Sequence, residues 1–197
     1  MKTLRPLIFI AFVALTIYSC KTLLSYANAF TCDFRMESLK NPALAGVDVN
    51  TIKNVSDLSL VQVGRLTTAY ASGNLPLSFV LNLESKNPNT SPATMAKFDW
   101  ILKIDDVQMA TGTNNTQYTI PGNNGTTMIP LTISVNLLEV LKGETKNTLL
   151  NFGLNLADAG GKPTRVNLQV RPTINLGTVP LSYPGYITLG TEFGSSK

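Results

Sequence analysis

The chain is predicted to fold as a mainly β, antiparallel sandwich with one packed amphipathic helix. Three observations predict it. Apolar residues alternate with polar ones at period two in several separate stretches, as half-buried strands require. Clusters of Gly, Pro and Asn separate those stretches. A single segment, residues 56–72, changes to helical spacing. A length of 197 residues suits one domain, and 44% hydrophobic content is enough for a real core.

The first twenty residues stand apart. Met1 to Arg5 form a positive n-region and Leu7 to Tyr18 an apolar run. That run suits a signal peptide and falls short of the roughly 20 residues needed to span a bilayer. It ends Leu15-Thr16-Ile17-Tyr18-Ser19-Cys20, which resembles a bacterial lipobox with Cys20 as the lipidated residue. The competing reading is an uncleaved signal anchor with an incidental cysteine. Lys21 follows Cys20 where an aspartate would signal inner-membrane retention, and no acidic run follows. The expected organisation is therefore a signal peptide over 1–19, a lipid-anchored linker over 20–29, a sandwich over 30–176 and a tail over 177–197. The expected location is the outer membrane, facing the periplasm. Net charge is +4, and discounting Lys2 and Arg5 leaves +2, too little for a nucleic-acid footprint.

Phe30 to Leu39 alternates Phe30, Cys32, Phe34 and Met36 against polar residues, a strand broken by Asn41-Pro42. With Cys20 acylated, Cys32 has no disulfide partner; a buried small hydrophobe and a reactive thiol are its two readings. Ala45 to Ile52 supplies a second strand. In the helix, Ser56 is the expected N-cap, Leu60, Val63, Leu66 and Tyr70 share the buried face, and Gly73-Asn74 stops it.

Leu75, Leu77, Phe79, Leu81 and Leu83 then alternate in the clearest strand of the chain. After Asn87-Pro88-Asn89-Thr90-Ser91-Pro92 a second strand runs from Lys97 to Ala110, with Phe98, Trp100, Leu102, Ile104 and Val107 inward. The turn cluster is too long for a tight hairpin, so a crossing between sheets is expected. Asp105-Asp106 marks a turn within or after that strand. Gln117 to Ile120 is a short strand, Gly122-Asn123-Asn124-Gly125 a turn, and Thr126 to Val135 another strand. Leu137 to Leu141 makes one or two helical turns. Residues 145–157 fit either period and are assigned to a second helix. Val166 to Ile174 is a strand, and the tail from Val179 to Phe193 contains the turn Tyr183-Pro184-Gly185-Tyr186 and a last edge strand.

Together, the alternating Leu77 to Leu83, Asn87-Pro88-Asn89, Trp100 to Ile104, Ala110-Thr111-Gly112-Thr113 and Ile129-Pro130-Leu131 resemble a type 2 late-embryogenesis-abundant (LEA) domain, also called the water-stress and hypersensitive-response domain. The chain is most similar to lipid-anchored bacterial members. The resemblance implies an immunoglobulin- or fibronectin-III-like sandwich with a packed helix and an association with desiccation and stress tolerance. It carries over no catalytic residues.

The residues themselves argue against catalysis. There is no histidine, which removes the commonest general base and zinc ligand. There is no Gly-x-Ser-x-Gly and no phosphate-cradling Gly-rich loop. Asp99, Asp105 and Asp106 form the one acidic cluster to weigh: a solvated face with a turn, against a weak calcium site. Phe98 and Trp100 are core residues or a ligand platform. Asn54, Asn89, Asn114 and Asn124 match the glycosylation pattern and are read as turn residues. The expected protein is thus no enzyme, needs no cofactor or metal, and meets the membrane through Cys20. It is a stress-protective or interaction module for a protein or glycan. The alternative is a carrier with an apolar cavity between the sheet and the helix.

Overall fold

The computed structural model describes residues 28–50, 52, 55–142, 164–176 and 178–193. Cys20, the leader and the predicted second helix at 145–157 lie outside them. Among the described residues, eleven strands and two α-helices follow in order: β1 (Asp33–Leu44), β2 (Val47–Asp48), α1 (Leu60–Ala71), β3 (Pro76–Asn87), β4 (Ala93–Met95), β5 (Lys97–Ile104), β6 (Val107–Asn114), β7 (Tyr118–Ile120), β8 (Gly125–Asn136), α2 (Leu137–Val140), β9 (Thr164–Leu176), β10 (Val179–Ser182) and β11 (Ile187–Phe193). Short 3₁₀ turns occupy Ala29–Thr31 and Val55–Asp57.

Two antiparallel sheets carry the fold. The first has the order β2-β1-β3-β8; the second runs β9-β5-β6, with β10 and β11 successively pairing the free side of β9. The connection after β3 crosses between sheets, as the long turn cluster predicts, and contributes β4 to a small ribbon with β7. The tail supplies the expected edge strand: β11 pairs β9 along seven residues, from Ile187↔Val170 to Phe193↔Thr164.

β3 is the centre of the first sheet because it is paired along both sides, Leu81 standing between Leu39 of β1 and Leu131 of β8. Its inward Leu77, Phe79, Leu81 and Leu83 are all buried. Facing them, Phe98, Leu102 and Ile104 of β5 and Val166, Leu168 and Val170 of β9 are buried as well. The space bounded by Phe34, Leu83, Met95, Phe98, Ile129 and Pro172 has no room for a water molecule. The interior is close-packed at this point.

Trp100 shares the inner face of β5 but is only half-buried, its indole lying over Gly112 of the edge strand β6. A Cβ at Gly112 would stand 2.5 Å from the ring. Gly112→Ala is therefore expected to displace the indole and cost about 1–3 kcal/mol. Thermal unfolding and the emission of the only tryptophan check this together; an unchanged spectrum with wild-type stability would contradict it.

Three boundaries differ from expectation, each for a local reason. The Lys97-to-Ala110 strand is a hairpin. Asp105 (φ 47°) and Asp106 (φ 66°) are both left-handed, a two-residue turn that Asp tolerates, and Ile104 pairs Val107 across it. A bulge beside Leu102 then leaves Val107 exposed and buries Met109 instead. Asn41-Pro42 does not end β1. It forms a bulge between Lys40 and Ala43, with Asn41 at φ 53°, where a missing N–H costs the ladder nothing. The expected second strand shortens to Val47–Asp48, reached through Ala45 (φ 49°) and Gly46 (φ 73°).

The helix also shifts. Its cap is Ser59, not Ser56, in a reciprocal capping box: Gln62 N donates to Ser59 Oγ (3.3 Å) and Ser59 N to Gln62 Oε1 (2.8 Å). It ends in a Schellman motif, with Gly73 at φ 74° and Asn74 N donating to Ala69 O. The buried stripe is Leu66 with half-buried Gln62 and Ala69. Leu60 (91% exposed), Val61 (68%), Val63 and Tyr70 face outward, contrary to the packed face expected. Period alone says that a helix is two-sided; the cap and the short connections on either side set which side meets the body.

Candidate interaction surfaces

The most tightly built feature lies at the end of the sandwich where β3 finishes. Asn87 is the last residue of β3 and has no exposed surface. Its Nδ2 donates to Ser91 O (2.9 Å) and Ile120 O (3.2 Å), and its Oδ1 accepts from Asn89 N (3.0 Å) and Asn89 Nδ2 (2.8 Å). The two turn clusters then dock backbone to backbone, Asn124 N on Asn87 O and Asn123 N on Asn89 O. Gly122 permits the approach, since a Cβ there would lie 2.3 Å from Thr90 O. The chain entering the domain is stitched to the same place: Asn28 Nδ2 donates to Ser91 O (3.4 Å) and Asn89 Nδ2 to Thr31 Oγ1 (2.8 Å). Asn89 and Asn124, like Asn114, whose Oδ1 accepts from Thr116 N, are turn residues as read from the sequence. Asn54 lies outside the described residues. The buried role of Asn87 is invisible in sequence, where Asn-Pro reads only as a turn.

The three aspartates do not converge. Asp99 accepts from Arg171 (Nη2 2.7 Å, Nε 3.3 Å) and from Thr113 Oγ1 (2.7 Å), and the Arg171 guanidinium lies 5.1 Å over the Tyr186 ring. Asp105 and Asp106 instead share Arg165, whose backbone N donates to Asp105 Oδ1 (3.0 Å) and whose Nη2 pairs with Asp106 (3.1 Å). Among the described residues no group of three or more His, Cys, Asp or Glu could hold a metal ion. These aspartates form a charge-matched surface and a turn.

The hydrogen bonds from Arg171, and then from Thr113, hold the Asp99 carboxyl below its ordinary range. A folded value below the unfolded one adds stability that is complete above about pH 4 and lost as pH falls through the folded value. Asp99→Asn should flatten the acid limb of the stability–pH curve. Melts taken across that limb check this; an acid limb identical to wild type would contradict it.

Cys32 is buried and its thiol donates to Asn28 O (3.5 Å). Burial pushes its pKa up to about 11, which suits a small core residue and not a reactive thiolate.

At the opposite end, α1 and the β1–β2 turn border a groove of about 590 Å³ that is open to solvent. Arg65, Thr68, Ser72 and Asn74 supply much of its lining, beside Ala45, Ala69 and Pro76. The carrier expectation placed an enclosed apolar cavity here. The groove between α1 and the body is neither enclosed nor apolar throughout.

A mainly β, antiparallel sandwich with paired aspartates and polar loops is the class of fold that these surfaces sit on. Residues 82–183, just over half of the chain, match the profile of the late embryogenesis abundant protein family, and the chain belongs to that family, type 2. No curated protein matches the chain. Among solved structures, the solution structure of a putative LEA protein gives a TM-score of 0.40 at 14% identity, covering 85% of this chain and 70% of that one. The solution structure of an Arabidopsis thaliana protein gives 0.38 at 10% identity, covering 82% and 76%. The crystal structure of a protein from Archaeoglobus fulgidus gives 0.37 at 15% identity, covering 82% and 98%.

Proposed function

We propose that this LEA-type chain is a non-enzymatic, lipid-anchored envelope protein that serves as a stress-protective binding module. It is tethered through Cys20 to the outer membrane and faces the periplasm. The packed interior carries the reading. Between the sheets around Leu83, Phe98 and Ile129 there is no room for a water molecule, which supports placing the work of the domain on its outer faces and loops. The absence of histidine from the chain and the pairing of Asp99, Asp105 and Asp106 with arginines support a role without chemistry. A carrier of lipid is the second reading, and what favours it is the apolar side of α1, with Leu60, Val61 and Val63 in solvent.

The anchor is tested in cells grown with a labelled fatty acid. The wild-type chain should take up label and Cys20→Ala should not. Equal labelling of the two would overturn the anchor.

A further inference from the structure

The loops at the two ends of the sandwich differ in charge, while Asp33, Arg35 and Lys86 are exposed on the strands just below the first of them. One end gathers three loops: residues 87–92, 121–125 and 183–186. The last is held there by an edge-on contact of Tyr183 with Phe30 (5.8 Å) and by Tyr183 N donating to Pro172 O. None of the three contains Asp, Glu, Lys or Arg. Their exposed residues include Pro88, Thr90, Pro92, Asn123 and Tyr186. The other end carries Asp48, Arg65, Asp105, Asp106, Arg165 and Glu139, all exposed. β3 separates the ends by twelve residues, about 36 Å at ~3.3 Å per residue.

The chain enters the domain at the end that carries the uncharged loops, one strand position from the exposed pair Asp33 and Lys86. Asn28 and Ala29 are buried there, and Asn28 bonds Ser91. Eight links separate Cys20 from Asn28, a reach of at most about 30 Å. Neutral hydrogen-bonding loops can enter a headgroup layer without stripping water from an ion. Tyrosine favours that layer, and Tyr186 is exposed there under the Arg171 guanidinium, whose charge is already matched by Asp99.

We infer that the loop end, around Asn87–Pro92, Gly122–Asn124 and Tyr186, is a membrane-contacting surface that rests on phospholipid headgroups, with α1 pointing away. The inference rests on the lipid-anchor reading and names the lipid surface as partner of the anchored domain. It makes the domain an oriented body, whose distal end is offered to partners across the periplasm.

The test uses the full-length lipidated protein in vesicles of phosphatidylethanolamine and phosphatidylglycerol containing a headgroup spin-labelled lipid. Thr90→Cys and Leu60→Cys each receive a fluorophore, while buried, protonated Cys32 stays unlabelled. Quenching several-fold stronger at Thr90 than at Leu60 is expected. Equal quenching, stronger quenching at Leu60, or failure of the protein to float with the vesicles overturns the inference. Flotation of Cys20→Ala reads the anchor separately. If it is lost and Thr90 shows no preference in the anchored protein, the anchor stands and the surface falls. If Cys20→Ala still floats and the Thr90 preference persists, the anchor falls and the surface stands.

Discussion

Asn87→Ala is expected to destabilise the domain by about 3 kcal/mol, lowering Tm by roughly 6–12 °C. The side chain is fully buried and uses both of its amide hydrogens and its oxygen. Alanine removes the side-chain donor to Ile120 O and the acceptor of Asn89 N, and leaves Ser91 O and Asn89 Nδ2 with only Asn28 Nδ2 and Thr31 Oγ1 as side-chain partners. It also loosens the docking of the 121–125 turn, because Asn87 O and Asn89 O receive the N–H groups of Asn124 and Asn123. Asn87→Asp keeps the shape but points an acceptor at two carbonyls, so its carboxylate would be buried and repelled. The aspartate variant should therefore fall further below wild type at neutral pH than near about pH 4, where protonation restores one donor. Chemical denaturation at the two pH values checks both variants. A loss under about 0.5 kcal/mol for alanine, the range of an ordinary surface change, would remove Asn87 from its structural role.

Phe79→Ala should cost about 4 kcal/mol, the transfer of a phenyl ring plus the cavity it leaves. Phe79 is 2% exposed on the inner face of the central strand, opposite Ile133 of β8. Its neighbours Leu77, Leu81 and Ile133 are themselves buried in the core, so they have little slack with which to collapse into the void. Thr132→Ala is the control: it lies on the same pair of strands, on the exposed outer face, and should change stability by less than about 0.5 kcal/mol. Similar losses for the two variants would mean that the inner and outer faces are not as described.

These two residues mark how far the sequence was legible. Phe79 could be placed in advance, because the pleat turns alternation directly into faces; Leu77 to Leu83, Phe98 to Ile104 and Ile129 to Val135 follow that rule. Asn87 could not, because a buried, fully bonded asparagine and an exposed turn asparagine share one letter and the same neighbouring proline. The bulge at Asn41-Pro42 was hidden for a related reason: proline breaks a strand interior but suits a bulge, and local sequence does not separate the two. Ser59 was findable, since Gln62 three residues later completes a capping box that Ser56 lacks. The side of α1 that packs was not findable from its period, which offered Leu60, Val63 and Tyr70 as readily as Leu66. The interaction surfaces were least legible of all, because Asp99, Asp105 and Asp106 are near in sequence yet divided between Arg171 and Arg165 in space.

On the proposed reading, this LEA domain works by its outer surface and holds no ligand within. Native mass spectrometry of the full-length chain, purified from membranes in mild detergent, tests it most directly. The account predicts a single species whose mass equals the covalent chain with its acyl group, and which releases no lipid on activation. A stoichiometric adduct that is released as a lipid, leaving the covalent mass behind, would contradict it.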